Sequence, residues 1–367
     1  MELKKILFGG LCLAVLAAGF TSCSDDDDNS WKEGSKVDIA NTHAFMLNEG
    51  NMARNNSNLI YFDWSNDSLS TSCIYQKQNE KSLGDTGNDI CVYDNKMLVA
   101  VNGSNYLALL NGSGVELSRI SFESFPNLGA IRSVAAANGY AFVSSYGGYL
   151  SKIRINGNSL IYEDSLTVGS YPEGVACLNG KVYCSVSGWG QDNRVAVVDA
   201  SSFTTPNYIT VMYNPDNLVV EDGLVFVQGY GEYDAYYNCD YPWGVIKDNK
   251  YTQLGNASCF AAGNGKVYAS LSKTDWTSYP YKTVVTTSVY DIESGKTDNA
   301  YFTNFPAFES TLSVYSISVN PYSGHVYWAL TDRSTDGTIY HFDEKGKFVK
   351  SFSSNGVNTN KIVFLKN

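Results

Sequence analysis

The feature that most constrains this chain is a short hairpin that recurs at a nearly constant interval. Each copy reads apolar strand, two-residue turn, aromatic-rich strand. The copies span 90–100 (turn Asp94-Asn95), 134–144 (Asn138-Gly139), 175–185 (Asn179-Gly180), 218–228 (Asp222-Gly223), 260–270 (Asn264-Gly265) and 317–329 (Ser323-Gly324). Asn-Gly and Asp-Gly supply the positive φ angles of a tight hairpin, so each copy is a turn with a mechanism. From turn to turn the steps are 44, 41, 43, 42 and 59 residues. A period of about 40–45 residues is that of a four-stranded propeller blade. Six complete copies and one divided between the chain ends predict an all-β, seven-bladed β-propeller.

The divided blade is assembled from both termini. Residues 44–47 and 59–63 read as a second and third strand with no first strand before them, and 361–365 is an unpaired strand able to supply it. Pairing of the N- and C-terminal strands closes the ring and removes two open sheet edges. Tyr and Phe are abundant, Pro is scarce, and nothing between Ala44 and Phe364 reads as a linker. One propeller domain over 42–367 is expected, each blade packing on its neighbours.

The first forty residues read as an address. Lys4-Lys5 and the apolar run 6–20 have the form of a secretory signal peptide over 1–22, too short to span a bilayer. Thr21-Ser22 before Cys23 resembles a bacterial lipobox, with Phe20 in place of the commoner Leu. This implies cleavage before Cys23 and lipidation of that residue. Ser24 and the acidic run 25–28 then resemble the surface-export signal of Bacteroidetes lipoproteins; the alternative is an ordinary periplasmic lipoprotein with an acidic spacer. The remainder of 23–41 is expected to be a flexible tether. Loss of the signal leaves 24 basic and 36 acidic residues, a formal charge of −12. That balance argues against nucleic acid and against an anionic membrane surface, so lipid must hold the chain at the membrane.

Chemistry is expected on one face of the ring. In a meandering blade, the loops joining second to third strands and the blade-to-blade crossovers share a face, while the tight turns lie opposite. The crossover-face loops are aromatic. The loop over 229–244 carries Tyr230, Tyr233, Tyr236 and Trp243 together with Asp234. Trp189 stands with Asp192 and Arg194 in a second loop, and Trp276 with Lys273 in a third. Stiff rings with polar neighbours suit a ring-shaped ligand, and these ten residues are the candidate binding set. The alternative is that the rings pack on one another and merely cover the mouth of the ring.

The case for an enzyme is thin. Ser334-Thr335-Asp336-Gly337 resembles the Asp-box of sialidase propellers, but its glycine is one place early and no Trp follows. Paired loop carboxylates are left open, because sequence does not give their separation. His43, His325 and His341 are the three histidines, and none is spaced from another as metal ligands are. There is no nucleophile elbow, P-loop or dinucleotide fingerprint, so no catalytic residue, metal or cofactor is expected. Beyond Cys12 and Cys23 six cysteines remain, and of their pairings Cys239 with Cys259 is the better candidate disulfide; Cys177 and Cys184 are only diagonal neighbours in one hairpin.

Leu47-Asn48-Glu49-Gly50-Asn51, Leu83-Gly84-Asp85, Val101-Asn102-Gly103-Ser104-Asn105 and Val197-Val198-Asp199-Ala200 resemble the YncE-like propeller lipoproteins of Bacteroidetes over 44–364. Within that group the BtuG lipoproteins capture cobalamin. The resemblance implies an outer-membrane lipoprotein facing the cell exterior, with a corrinoid as transported ligand and a TonB-dependent outer-membrane transporter as partner. No motif carries site residues across; the candidate set rests on loop placement. A surface glycan binder and a propeller that only docks a protein are the competing readings.

Overall fold

The computed structural model describes residues 29–65, 68–234, 238–275, 277, 282–309 and 311–367. Seven four-stranded antiparallel sheets form a seven-bladed propeller. The innermost strands are Thr359–Lys366, Gly87–Tyr93, Ile131–Ala137, Pro172–Leu178, Pro215–Glu221, Cys259–Gly263 and Ser313–Val319, and each packs against the next around the central channel.

The predicted turns form as the sequence requires. Asp94-Asn95, Asn138-Gly139, Asn179-Gly180, Asp222-Gly223 and Asn264-Gly265 all adopt positive φ, between 48° and 81°. This is the pattern of a turn whose twist matches the flanking strands. In the sixth copy only Gly324 takes positive φ, and the connection between Val319 and Val326 is correspondingly longer.

Ring closure occurs at the predicted strands. Thr359–Lys366 pairs antiparallel with Thr42–Asn48 in the sheet completed by Asn58–Asp63 and Ser68–Cys73. Ala44 lies opposite Phe364, and Met46 opposite Ile362. All four are buried, packing with Tyr327 and Ile339 of the preceding blade. Apolar clusters of this kind fill the gaps between blades, where Trp328, Phe342 and Phe302 form the densest aromatic contacts.

Residues 29–41 are not the free tether expected from their polarity. Trp31 stacks on His43 with ring centroids 5.4 Å apart and lies against Gly112. Ile39 is buried, the Lys36 amide donates to Gln78 Oε1 (2.8 Å), and the Ala40 amide donates to the Tyr61 hydroxyl (3.0 Å). One tryptophan and one isoleucine anchor a segment whose composition otherwise reads as linker. Gly112 and Asn95 belong to tight turns, so this segment docks on the turn face. The signal peptide, Cys23 and the acidic run lie outside the described residues. Among the described residues no helix is long and apolar enough to cross a membrane.

Candidate functional site

A bulge recurs in six of the seven innermost strands, always at the end nearest the crossover face. There two inner-strand residues oppose one on the neighbouring strand, and the residue so displaced is Asn88, Arg132, Glu173, Asp216, Tyr315 or Asn360. A bulge bends its strand and re-aims a side chain. Here all six side chains turn into the mouth of the central channel, lining a cavity of about 1540 Å³ that opens on the crossover face.

Hydrogen bonds link four of these residues, Asn360, Asn88, Arg132 and Glu173, into a belt. Asn360 Nδ2 donates to the Asn88 carbonyl (2.6 Å), and Asn88 Nδ2 donates to the Arg132 carbonyl (2.7 Å). Arg132 donates from Nη1 to Asn88 Oδ1 (2.6 Å) and from Nε to Glu173 Oε2 (2.7 Å). Its guanidinium also lies over the Tyr146 ring, 5.0 Å from the centroid. Alongside, Asp89 pairs with Lys361 (3.0 Å) and accepts from the Ser133 hydroxyl (2.6 Å) and the Val134 amide (3.0 Å). Tyr315 donates to Glu49, which reaches the same space from the first blade.

The lining is acidic. Glu49, Asp89, Glu173, Asp216, Glu232, Asp234, Asp240 and Asp332 face Arg132, Lys273, Arg333 and Lys361. Burial pushes the Glu173 carboxyl up to about 7, with Arg132 pulling it down and Asp216 raising it further. Glu49 and Asp216 are raised for the same first reason, loss of water around the carboxylate. Arg132 opposes the effect of burial at both carboxyls, through a direct pair with Glu173 and through its charge at Asp216.

The candidate residues divide sharply. Tyr230, Asp234 and Lys273 line the cavity. Tyr230 packs against Tyr241 (5.6 Å), Asp234 accepts from the Asn238 amide and side chain, and Lys273 lies 3.6 Å from Asp240. Trp189 is 69% exposed on the rim, beside Tyr171 and Tyr146, and Tyr233 is 50% exposed near Gly190 of the same rim. Asp192 and Arg194 are outside the cavity and committed to each other: Arg194 donates to both Asp192 oxygens (2.8 and 2.5 Å) and covers Tyr208. Trp243 is not a surface residue. It belongs to the strand Pro242–Lys247 and is 2% exposed, wedged among Phe226, Phe260 and Tyr290 between two blades. Tyr236 and Trp276 lie outside the described residues.

The disulfide expected between Cys239 and Cys259 is not formed; both are free thiols. Cys259 is buried on an innermost strand with Sγ directed at the Val314 carbonyl (3.6 Å) of the next blade, whereas Cys239 sits in the rim loop. Among the described residues no group of three His, Cys, Asp or Glu side chains is placed to hold a metal. His325 and His341, sixteen residues apart, do meet, Nδ1 to Nε2 at 2.8 Å, where the turn before Val326 passes the strand Thr338–Phe342.

The bulged channel residues escaped the sequence reading although a signal for them exists. Asn88, Arg132, Glu173, Asp216, Tyr315 and Asn360 each stand two residues before the first apolar residue of a repeat. A polar residue at one fixed offset in successive repeats marks a shared position on the channel wall.

No protein-family model matches this chain, and no curated protein does either. Solved structures do. A protein described as a putative 6-phosphogluconolactonase from Bacteroides uniformis superposes with a TM-score of 0.61 at 11% identity, covering 89% of this chain and 100% of that one. The periplasmic gluconolactonase of Pseudomonas aeruginosa gives 0.54 at 11% identity over 88% of this chain and 99% of that chain. Hydrazine synthase of Kuenenia stuttgartiensis gives 0.58 at 9% identity over 77% and 95%. These likenesses establish the propeller, and at such identities the fold alone.

Proposed function

We propose that this protein is a non-enzymatic capture protein that holds a large ring-bearing ligand, a corrinoid, in the funnel on its crossover face. The observation that carries the reading is the funnel itself, a cavity of about 1540 Å³ with a hydrogen-bonding floor and an aromatic rim. Pockets for drug-sized ligands occupy about 300–1,000 Å³, so this space suits a broader molecule. A corrin has apolar faces for Tyr230 and its neighbours and an amide-bearing rim. Carboxamides both donate and accept, and the funnel offers both: the Asp216 carboxylate, Asn217, Asn360 and the donors of Arg132 and, from a crossover-face loop, Arg333.

The charge balance opposes the activity named for the gluconolactonase-like neighbour. A phosphorylated sugar would enter a cavity lined by eight acidic and four basic side chains, and even with Glu49, Glu173 and Asp216 raised by burial that balance favours a ligand without a phosphate.

The proposal includes an anchor at Cys23, with the protein displayed on the outer membrane and the ligand passed to a TonB-dependent transporter. The segment from Asn29 docks on the turn face, and the six residues 23–28 reach at most about 20 Å. The anchor thus joins the ring on the side opposite the funnel. Calorimetry with cyanocobalamin, with host and plant glycans run in parallel, tests the ligand. Heat and a visible-band shift with cobalamin are expected. Heat with glycans alone replaces the corrinoid with a sugar, and silence from both with a co-purifying transporter makes the rim a protein-docking surface.

A further inference from the structure

Beside the funnel, Tyr146, Tyr171 and Trp189 form a tight corner of rings on the crossover face. Their centroids are 5.2 Å (Tyr171–Trp189), 5.4 Å (Tyr146–Tyr171) and 6.4 Å (Tyr146–Trp189) apart, inclined at 51° to 78°. At those separations nothing fits between them, so the corner acts through its outer surface, chiefly the indole of Trp189.

That indole is held out at a conformational cost. Trp189 has φ 56° between two glycines at 55° and 84°, and Tyr171 has φ 49°. Large side chains rarely adopt this left-handed geometry, and residues held there concentrate at functional sites. The loop is also well anchored. The Gly188 amide donates to the Ser170 carbonyl (3.0 Å), the Asp192 amide to the Ser187 carbonyl (3.0 Å), and the Trp189 amide to the Ser187 hydroxyl (3.2 Å). Such bonding makes the exposure of Trp189 a fixed property of the rim.

Two contacts join the corner to the funnel. Arg132 lies over Tyr146, and the Ser187 hydroxyl approaches Glu173 Oε1 at 3.4 Å. The charged groups flanking Trp189 are already satisfied, Asp192 by Arg194, so the rim here favours stacking over the dense hydroxyl pairing a sugar needs. The exposed rings of this corner are Trp189 and part of Tyr171, an area below the roughly 800 Å² per partner of a stable protein interface.

We infer that Tyr146, Tyr171 and Trp189 form a stacking subsite for a planar heteroaromatic ring carried by the ligand whose body fills the funnel. This rests on the capture reading above. In a corrinoid the ring is the base of the nucleotide loop, which cobinamide lacks.

The test titrates cyanocobalamin and dicyanocobinamide into the wild-type protein and Trp189→Ala, with thermal melting to confirm folding. In wild type, cobalamin should bind at least tenfold more tightly than cobinamide. Trp189→Ala should erase most of that tenfold difference, costing cobalamin far more than cobinamide, and Trp189→Phe should restore part of it. Equal wild-type affinities, or an equal loss for both ligands in the alanine variant, overturn the subsite. If neither corrinoid binds, the capture reading fails by itself. The corner is then read by quenching of tryptophan fluorescence with free 5,6-dimethylbenzimidazole, where quenching lost in Trp189→Phe supports the stacking subsite and its absence overturns it.

Discussion

Replacing Glu173 with Gln isolates the least ordinary charge in the channel. The Glu173 carboxyl is held up at about 7 against 4.5 for an ordinary glutamate, first because burial strips it of water. The folded protein therefore keeps this proton at pH values where the unfolded chain has released it. The stability Glu173 contributes is fully present below about pH 4.5 and is lost as pH rises through about 7. At 1.36 kcal/mol per pH unit, the whole loss is about 3 kcal/mol. Raised carboxyls at Glu49 and Asp216 act with the same sign. Burial lowers His43, whose contribution instead grows as pH rises toward 6.5. Comparing wild type with Glu173→Gln at each pH cancels Glu49 and His43 and leaves Glu173 with its coupling to Asp216. Urea unfolding at pH 5, 6, 7 and 8 should show the variant gaining on wild type by about 2 kcal/mol or more across the series. A difference that stays flat refutes the reasoning, because it means Arg132 keeps Glu173 ionised throughout.

Three further outcomes follow from the packing and the chain ends. Phe364→Ala, which empties a buried site against Tyr327, should cost about 3–5 kcal/mol, and a chain ending at Ser354 should be insoluble or unfolded; an unchanged melting temperature in either contradicts closure of the ring. Trp243→Ala should destabilise the protein by a similar amount, about 3–5 kcal/mol, yet leave the affinity of the folded fraction unchanged, since this ring never reaches the funnel. Thiol titration of unfolded, unreduced protein should find Cys73, Cys91, Cys177, Cys184, Cys239 and Cys259 all reactive, and a deficit of two would show that a pair oxidises after all.

The propeller was legible because its repeats are local. Asn-Gly and Asp-Gly turns fix hairpins without tertiary help, and the unpaired strand at 361–365 had one blade left to complete. The site was less so. Aromatic loop residues advertise exposure, but Trp243 is already the second residue of a strand at the end of such a loop, and a step of one or two residues carries a ring from rim to interior. Asp192 and Arg194 looked available and instead neutralise each other within one loop. The placement of Arg132, Glu173 and Asp216 depends on a bulge, a register event that spacing alone does not announce; only alignment of the repeats on their first apolar residue brings it into line. The docking of 29–41 turned on Trp31 and Ile39, two apolar residues in a polar stretch.

The central claim is that the funnel holds the ligand, and its most direct measurement is a visible-absorption titration of cyanocobalamin into wild type and Asp216→Arg. The arginine projects from a bulge into the cavity floor, filling space and reversing charge beside Arg132 without touching the interblade core. The account predicts saturable spectral change with wild type and its loss, by at least a hundredfold in affinity, in a variant that still melts cooperatively. Undiminished binding by Asp216→Arg places the ligand elsewhere and contradicts the account.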